Sequence, residues 1–169
     1  MKSQFLKNGR EFLIFPSPPF HFDGTFHKPS HFPSKLDAWQ SGEYWQAIRV
    51  DGRLFGLKIE DKGRPQNPKI KVSIFYNNNI SDKNIENIKR EIIWRFDLNT
   101  DLKEFNRIAK KDKRFYPVFK KWLGMRNSSA HSLYELLIIA VVLQNATVRR
   151  TVQMMDALLD SYGVKLKFD

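Results

Sequence analysis

The sequence predicts an α+β protein: an N-terminal antiparallel sheet with a covering helix over residues 1–97, then an incomplete helical bundle over residues 98–169. Three observations carry this expectation. Asp51-Gly52 separates Glu43–Val50 from Arg53–Glu60, and that dipeptide takes the positive φ angles of a two-residue hairpin turn. Lys69 to Tyr76 alternates Ile70, Val72, Ile74 and Tyr76 against Lys69, Lys71, Ser73 and Phe75, as a strand with one wet face does. From Val148 onward, apolar residues recur at helical spacing instead, which changes the period and hence the class of element.

Taken in order, Glu11 to Phe15 reads as a first strand that Pro16, Pro18 and Pro19 cut short, followed by an irregular segment rich in Phe up to residue 40. Gly63 to Pro68 connects the hairpin to the next strand. Ser81 is placed as the N-cap of a helix carrying Ile85, Ile88, Ile92 and Ile93 on one side and ending near Trp94; this helix covers one face of the sheet. Beyond Asp101 the pattern is helical, with Asp101 and Glu104 as a cap pair and Leu102, Phe105 and Ile108 as the expected buried stripe. Leu133 to Leu143 is apolar almost throughout, so a helix here is expected to be surrounded by protein. It is too short to span a bilayer. Ser132 and Glu135 stand in the relation of a capping box, which starts that helix near Ser132. Gln144 to Thr147 forms a polar elbow, and Val148, Val152, Met155, Leu159 and Tyr162 mark a second helix closed by Gly163.

A chain of 169 residues with fourteen Phe and four Trp can bury a core of useful size. Its formal charge of +11 favours a polyanionic partner, nucleic acid before an acidic membrane surface. The absence of cysteine excludes disulfides, thiolate nucleophiles and cysteine-ligated metal within these residues. The leading residues lack the apolar run of a secretory signal, so the expected location is the cytoplasm, or the nucleus of a eukaryote. Lys103 to Arg126 holds nine basic residues against Glu104 and Asp112, more than solubility requires. Phosphate contact by some of them, with Lys110, Lys111, Lys113 and Arg126 as candidates, would position the protein on nucleic acid without reading sequence. His21, Asp23, His27 and His31 are ligand types for zinc, but no pair has a rigid helix or strand spacing; neither metal nor cofactor is expected. Trp39, Trp45, Phe55 and Phe75 are of the kind that stacks bases, although aromatics alternating in a sheet are more often core.

The run Leu-Tyr-Glu-Leu-Leu-Ile, then Leu143-Gln144-Asn145-Ala146-Thr147-Val148, then Ser161-Tyr162-Gly163, resembles the first helices of the helix-hairpin-helix DNA glycosylase superfamily, in its AlkA-like and 8-oxoguanine branches. The Pro-rich lead-in with Thr25-Phe26-His27-Lys28-Pro29, the segment Gly42-Glu43-Tyr44-Trp45-Gln46, Arg95-Phe96-Asp97-Leu98 at the hinge and Gly124-Met125-Arg126 before the apolar helix fit the same family. The resemblance implies base-excision repair: double-stranded DNA with a damaged base as partner, and hydrolysis of the bond joining base to sugar. It implies that Asn145 is the wedge that fills the hole left by the extruded base, a hole that otherwise costs a few kcal/mol. Arg150 then faces the orphaned partner base. Read alone, Asn145 is a helix C-cap or turn residue. Gln144 either fixes the elbow or reaches the minor groove. Thr147, Arg149 and Arg150 complete the candidate DNA-binding set, and the two arginines diverge by about 100° on a helix, so one at most faces a given ligand.

The same resemblance calls for a hairpin of the Leu-Pro-Gly-x-Gly kind and a later essential Asp, and, for lyase activity, a Lys beside the hairpin. None occurs in these residues, so no catalytic residue is assigned. The expectation is the leading portion of a longer glycosylase, inactive alone, or a chain that docks with a second polypeptide supplying hairpin and Asp. Two rivals stand beside it: a noncatalytic DNA-binding module, and a structural subunit whose apolar helix serves a protein partner.

Overall fold

A computed structural model of the chain describes residues 2–27, 35–129 and 131–169. Two strands and a short helix come first: β1 (Lys2–Phe5), β2 (Asn8–Ile14) and α1 (Phe22–Phe26). The sheet continues through β3 (Asp37–Gln40), β4 (Glu43–Val50), β5 (Arg53–Asp61) and β6 (Ile70–Tyr76), and α2 (Asp82–Arg95) follows. The helical part comprises α3 (Lys103–Ala109), α4 (Tyr116–Lys121), α5 (Leu133–Leu143) and α6 (Val148–Tyr162), and β7 (Val164–Lys167) ends the regular structure.

β2, β6, β5, β4 and β3 lie side by side in that order, every pair antiparallel. Asp51 and Gly52 have φ of 49° and 75°, the left-handed pair that the predicted hairpin turn demands. The register sets Tyr44 opposite Ile59, Gln46 opposite Leu57 and Ile48 opposite Phe55. These side chains share one face, and Ile88 and Ile92 of α2 close over it with Phe26, Phe96 and Leu98. Each fully buried aliphatic or Phe side chain contributes about 1.5–3 kcal/mol through removal of apolar area from water. The predicted N-cap at Ser81 is present, and Asn84 completes a capping box with it.

Several expectations need correction. The lead-in is not wholly irregular, because the imidazole of His21 accepts the amide of Gly24 and caps α1, whose Phe22 and Phe26 enter the core. The helix expected from Asp101 breaks into two short ones. Asp101 accepts from the amide of Lys103 at 2.9 Å, and no side chain caps α3. Phe105 and Ile108 are exposed, and Ala109 and Phe119 take the buried places instead. On α6, Met155 is buried while Val148 and Tyr162 face solvent. The wet face of the third predicted strand is partly covered as well: Ser73 is buried, and Phe168 packs on Phe75 with ring centroids 5.3 Å apart.

That cover comes from a return of the chain to the sheet. β7 pairs in parallel with β1, Phe168 lies over Gly56, and Asp169 accepts from the indole of Trp45 at 2.9 Å and from Lys58 at 2.8 Å. The Lys58 ammonium, and after it the Trp45 indole, hold the Asp169 carboxyl below the usual carboxylate range.

Candidate nucleic-acid interface

The elbow between α5 and α6 is built from local chemistry. Ser132 and Glu135 form the expected capping box, the serine amide meeting the glutamate at 2.6 Å, so α5 starts where the sequence places it. The helix stops at Gln144, whose backbone turns extended, and Asn145 follows with φ of 55°, the left-handed conformation that asparagine tolerates after a helix end. Thr147 then caps α6 by accepting the amide of Arg150. Thr151, fully buried, donates to the carbonyls of Val142 and Thr147 or shares its hydrogen between them, at 3.3 and 3.1 Å. Its hydroxyl thereby links the last turn of α5 to the first turn of α6 and fixes the elbow's angle. Sequence reasoning misses this residue; its signal is a threonine on the inward side of α6, between Val148 and Met155.

Gln144, Asn145, Thr147, Arg149 and Arg150 are all exposed, and the structure brings them together at one tip. The charge there is unusual for a helix start. α1, α2, α3 and α5 each carry an acidic residue in the first turn; α4 and α6 carry none, and α6 places Arg149 and Arg150 there. A helix N-terminus is the positive end of the macrodipole, so cations in its first turn are unfavourable unless an anion is nearby. A positive helix end and two exposed arginines make this tip suited to phosphate.

Lys110, Lys111 and Lys113 lie in the turn between α3 and α4, all exposed, and none has a carboxylate partner among the described residues. Neither α3 nor α4 packs extensively on α5 or α6, so no helix packing ties this basic turn to the elbow. Arg126 does not belong to either. It is 1% exposed, and its guanidinium donates to the carbonyls of Thr100, Ser17 and Pro19, while its amide donates to Thr25. Burial pushes its pKa down, partly opposed by Asp97 and Asp101. The expected phosphate contact by Arg126 is therefore corrected: the side chain is occupied in holding the lead-in to the helical part.

The metal candidates are used otherwise. His21 caps α1, His27 stacks on Trp39 with centroids 4.4 Å apart, and Asp23 accepts from Trp39, Ser41 and Gly42. His31, with Lys28, Pro29 and Phe32, lies outside the described residues. Among the described residues no three His, Asp or Glu side chains converge as a metal site would require. Of the aromatics suggested for base stacking, Phe55 is core, Trp45 is tied to Asp169 and Phe75 lies under Phe168. No described helix is long and apolar enough to cross a membrane.

α5 is not surrounded. Only Ile139 is buried, and Leu133, Leu137 and Val141 are each more than half exposed.

The fold is similar to that of a 3-methyladenine DNA-glycosylase from Archaeoglobus fulgidus, with a TM-score of 0.68 at 17% sequence identity, over 89% of this chain and 50% of that one. The architecture is glycosylase-like. The chain spans about half the length of that structure. No family model matches the sequence, and no curated protein matches it either.

Proposed function

We propose that these residues are the DNA-engaging portion of a base-excision DNA glycosylase of the helix-hairpin-helix type, divided near residue 97 into a sheet domain and a helical domain. The observation that carries the reading is Asn145: exposed, left-handed, at the tip of a braced elbow with two arginines behind it, in a glycosylase-like fold. A duplex gripped by its phosphates at Arg149, Arg150 and the turn of Lys110, Lys111 and Lys113 presents its stack to Asn145. The amide side chain occupies the space vacated when a damaged base swings out, which offsets part of the unstacking cost of a few kcal/mol. Gln144 and Thr147 hold the elbow's backbone on either side. Hydrolysis of the base–sugar bond depends on a hairpin and an Asp provided by further residues or by a second polypeptide, and the uncovered apolar face of α5 supports such a covering.

The test is binding to matched duplexes with and without an abasic site. Asn145→Ala is expected to remove the preference for the abasic duplex while leaving affinity for intact DNA within a few fold. An unchanged preference would make the protein a noncatalytic binder of duplex DNA, and negligible binding at low salt would make it a structural subunit.

A further inference from the structure

A second surface with nucleic-acid chemistry lies at the opposite end of α5. A cleft of about 630 Å³ opens between the tip of the β4–β5 hairpin, the outer side of α2 and the first turn of α5. Its walls carry Arg49 and Arg90, and its rim carries Trp94 and Tyr134, which are 75% and 73% exposed. Exposed Trp is costly to leave in water, and two such aromatic faces beside two arginines are a combination that a plain solvated surface does not need.

The charge balance of the cleft is decided by its acids. Asp51 accepts from the side chains of Asn84 and Asn87, at 3.2 and 2.7 Å, and Glu91 accepts from Arg95 at 2.9 Å. Glu91 is thus offset by Arg95, whereas Asp51 is exposed and, bonded only to neutral amides, keeps its charge. Arg49 gives one hydrogen bond to the carbonyl of Gly52 and Arg90 one to the side chain of Asn87, and neither meets a carboxylate among the described residues. A guanidinium has five donors, so most of their capacity points outward. With Asp51 set against Arg49 and Arg90, the cleft lining keeps one positive charge in excess, beside two flat apolar faces.

The geometry points to a binding site for single-stranded polynucleotide, in which bases stack on Trp94 and Tyr134 and the intervening phosphates meet Arg49 and Arg90. Stacking suits any base, because every base has a π face, and arginine pairs bidentately with phosphate. An acidic peptide would satisfy the arginines but leave the aromatic faces without a flat partner. The eleven residues of α5 put the elbow about 16 Å away, so a nucleotide held at Asn145 does not fill this cleft. The site does not depend on Asn145 acting as a wedge; it requires that any cover over Leu137 and Val141 leave Tyr134 bare.

Fluorescence anisotropy of a labelled oligothymidylate on the full chain tests it. Trp94→Ala and Tyr134→Ala should each weaken binding by about fivefold to a hundredfold, Trp94→Phe should retain most of it, and Arg90→Ala should lower the salt slope by about 0.7. Preference for abasic duplex should stay unchanged in these variants, just as Asn145→Ala should leave oligothymidylate affinity unchanged. Circular dichroism checks that the variants fold, which the exposure of both aromatics favours. Affinity for oligothymidylate that is absent in the parent protein, or equal in the parent and in both alanine variants, would overturn the proposal. So would equally effective competition by polyglutamate of matched charge.

Discussion

The guanidinium of Arg126 reaches the carbonyl oxygen of Thr100 at 2.6 Å, and with the same fork it holds the carbonyls of Ser17 and Pro19. Three carbonyls from two distant stretches of chain thus converge on one buried cation. Gly124 makes the approach possible, since at φ of 89° a Cβ there would stand 2.7 Å from the backbone of Pro19 and Phe20. Arg126→Ala takes the donor from three partly buried carbonyls, of which those of Ser17 and Pro19 are the less open to water. The expected outcome in chemical denaturation is a destabilisation of about 1–3 kcal/mol. The salt slope of DNA binding should not change under folding conditions.

Much of this is legible in the sequence where the signal is local. Asp51-Gly52, Ser81 and the Ser132–Glu135 box each announce their geometry within four residues, and the structure places the turn and both helix starts there. Arg126 misleads because its partners lie as far as 109 positions away, and an arginine in a basic run carries no mark of being buried. β1 and β7 escape notice for a related reason: two four-residue strands pairing in parallel from opposite ends of the chain leave no pattern in either segment. The stripe of Phe105 and Ile108 shows a third difficulty. Periodicity gives the apolar side of a helix but not whether anything covers it.

If the turn between α3 and α4 grips phosphate, its lysines release counterions on binding. Substituting Lys110, Lys111 and Lys113 together by Ala should reduce the slope of log affinity against log salt by up to about 0.9 for every phosphate that is no longer neutralised. Intact and abasic duplexes should be affected equally, because these lysines would touch the backbone and carry no base information. A titration series of duplex binding at rising salt measures both quantities, and an unchanged slope assigns the cluster to solubility alone.

The angle of the elbow rests on Thr151. Thr151→Val keeps the shape but removes the hydroxyl that meets Val142 and Thr147, at an expected cost of about 1 kcal/mol in denaturant unfolding. A weakened abasic preference in this variant, with Asn145 itself intact, would identify Thr151 as a positioning residue. Restoration of that preference by Thr151→Ser would separate the hydroxyl from the packing.

Acid should act first on the polar network across β2, β6 and β5. Glu60 meets Lys62 and Lys71, each at 2.8 Å, and Lys71 also meets Glu11. The bonds from Lys62 and then Lys71 hold the Glu60 carboxyl below the usual carboxylate range. A carboxyl whose pKa falls on folding stabilises the native state above its unfolded value, and that contribution disappears as pH drops through the lowered one. Denaturant midpoints should therefore decline on acidification below the ordinary carboxylate range. Glu60→Gln should be less stable at neutral pH and should show a shallower decline. An identical acid limb in the variant would remove Glu60 from the account.

The return of the chain to the sheet can be tested at Gly56. An added Cβ there would lie 2.5 Å from the ring of Phe168, closer than the two can stand, so Gly56→Ala must lift the ring away. Because Asp169 follows Phe168, the displacement also strips Trp45 of its acceptor and Lys58 of its ion pair. Crowding of this kind costs about 1–3 kcal/mol. Phe168→Ala removes the ring from the outset, so adding Gly56→Ala to it should cost almost nothing further. A double-mutant cycle thus measures the packing of ring on glycine directly. Equal costs of Gly56→Ala with and without Phe168 would mean that the glycine is needed for its backbone on β5, not for the room it gives that ring.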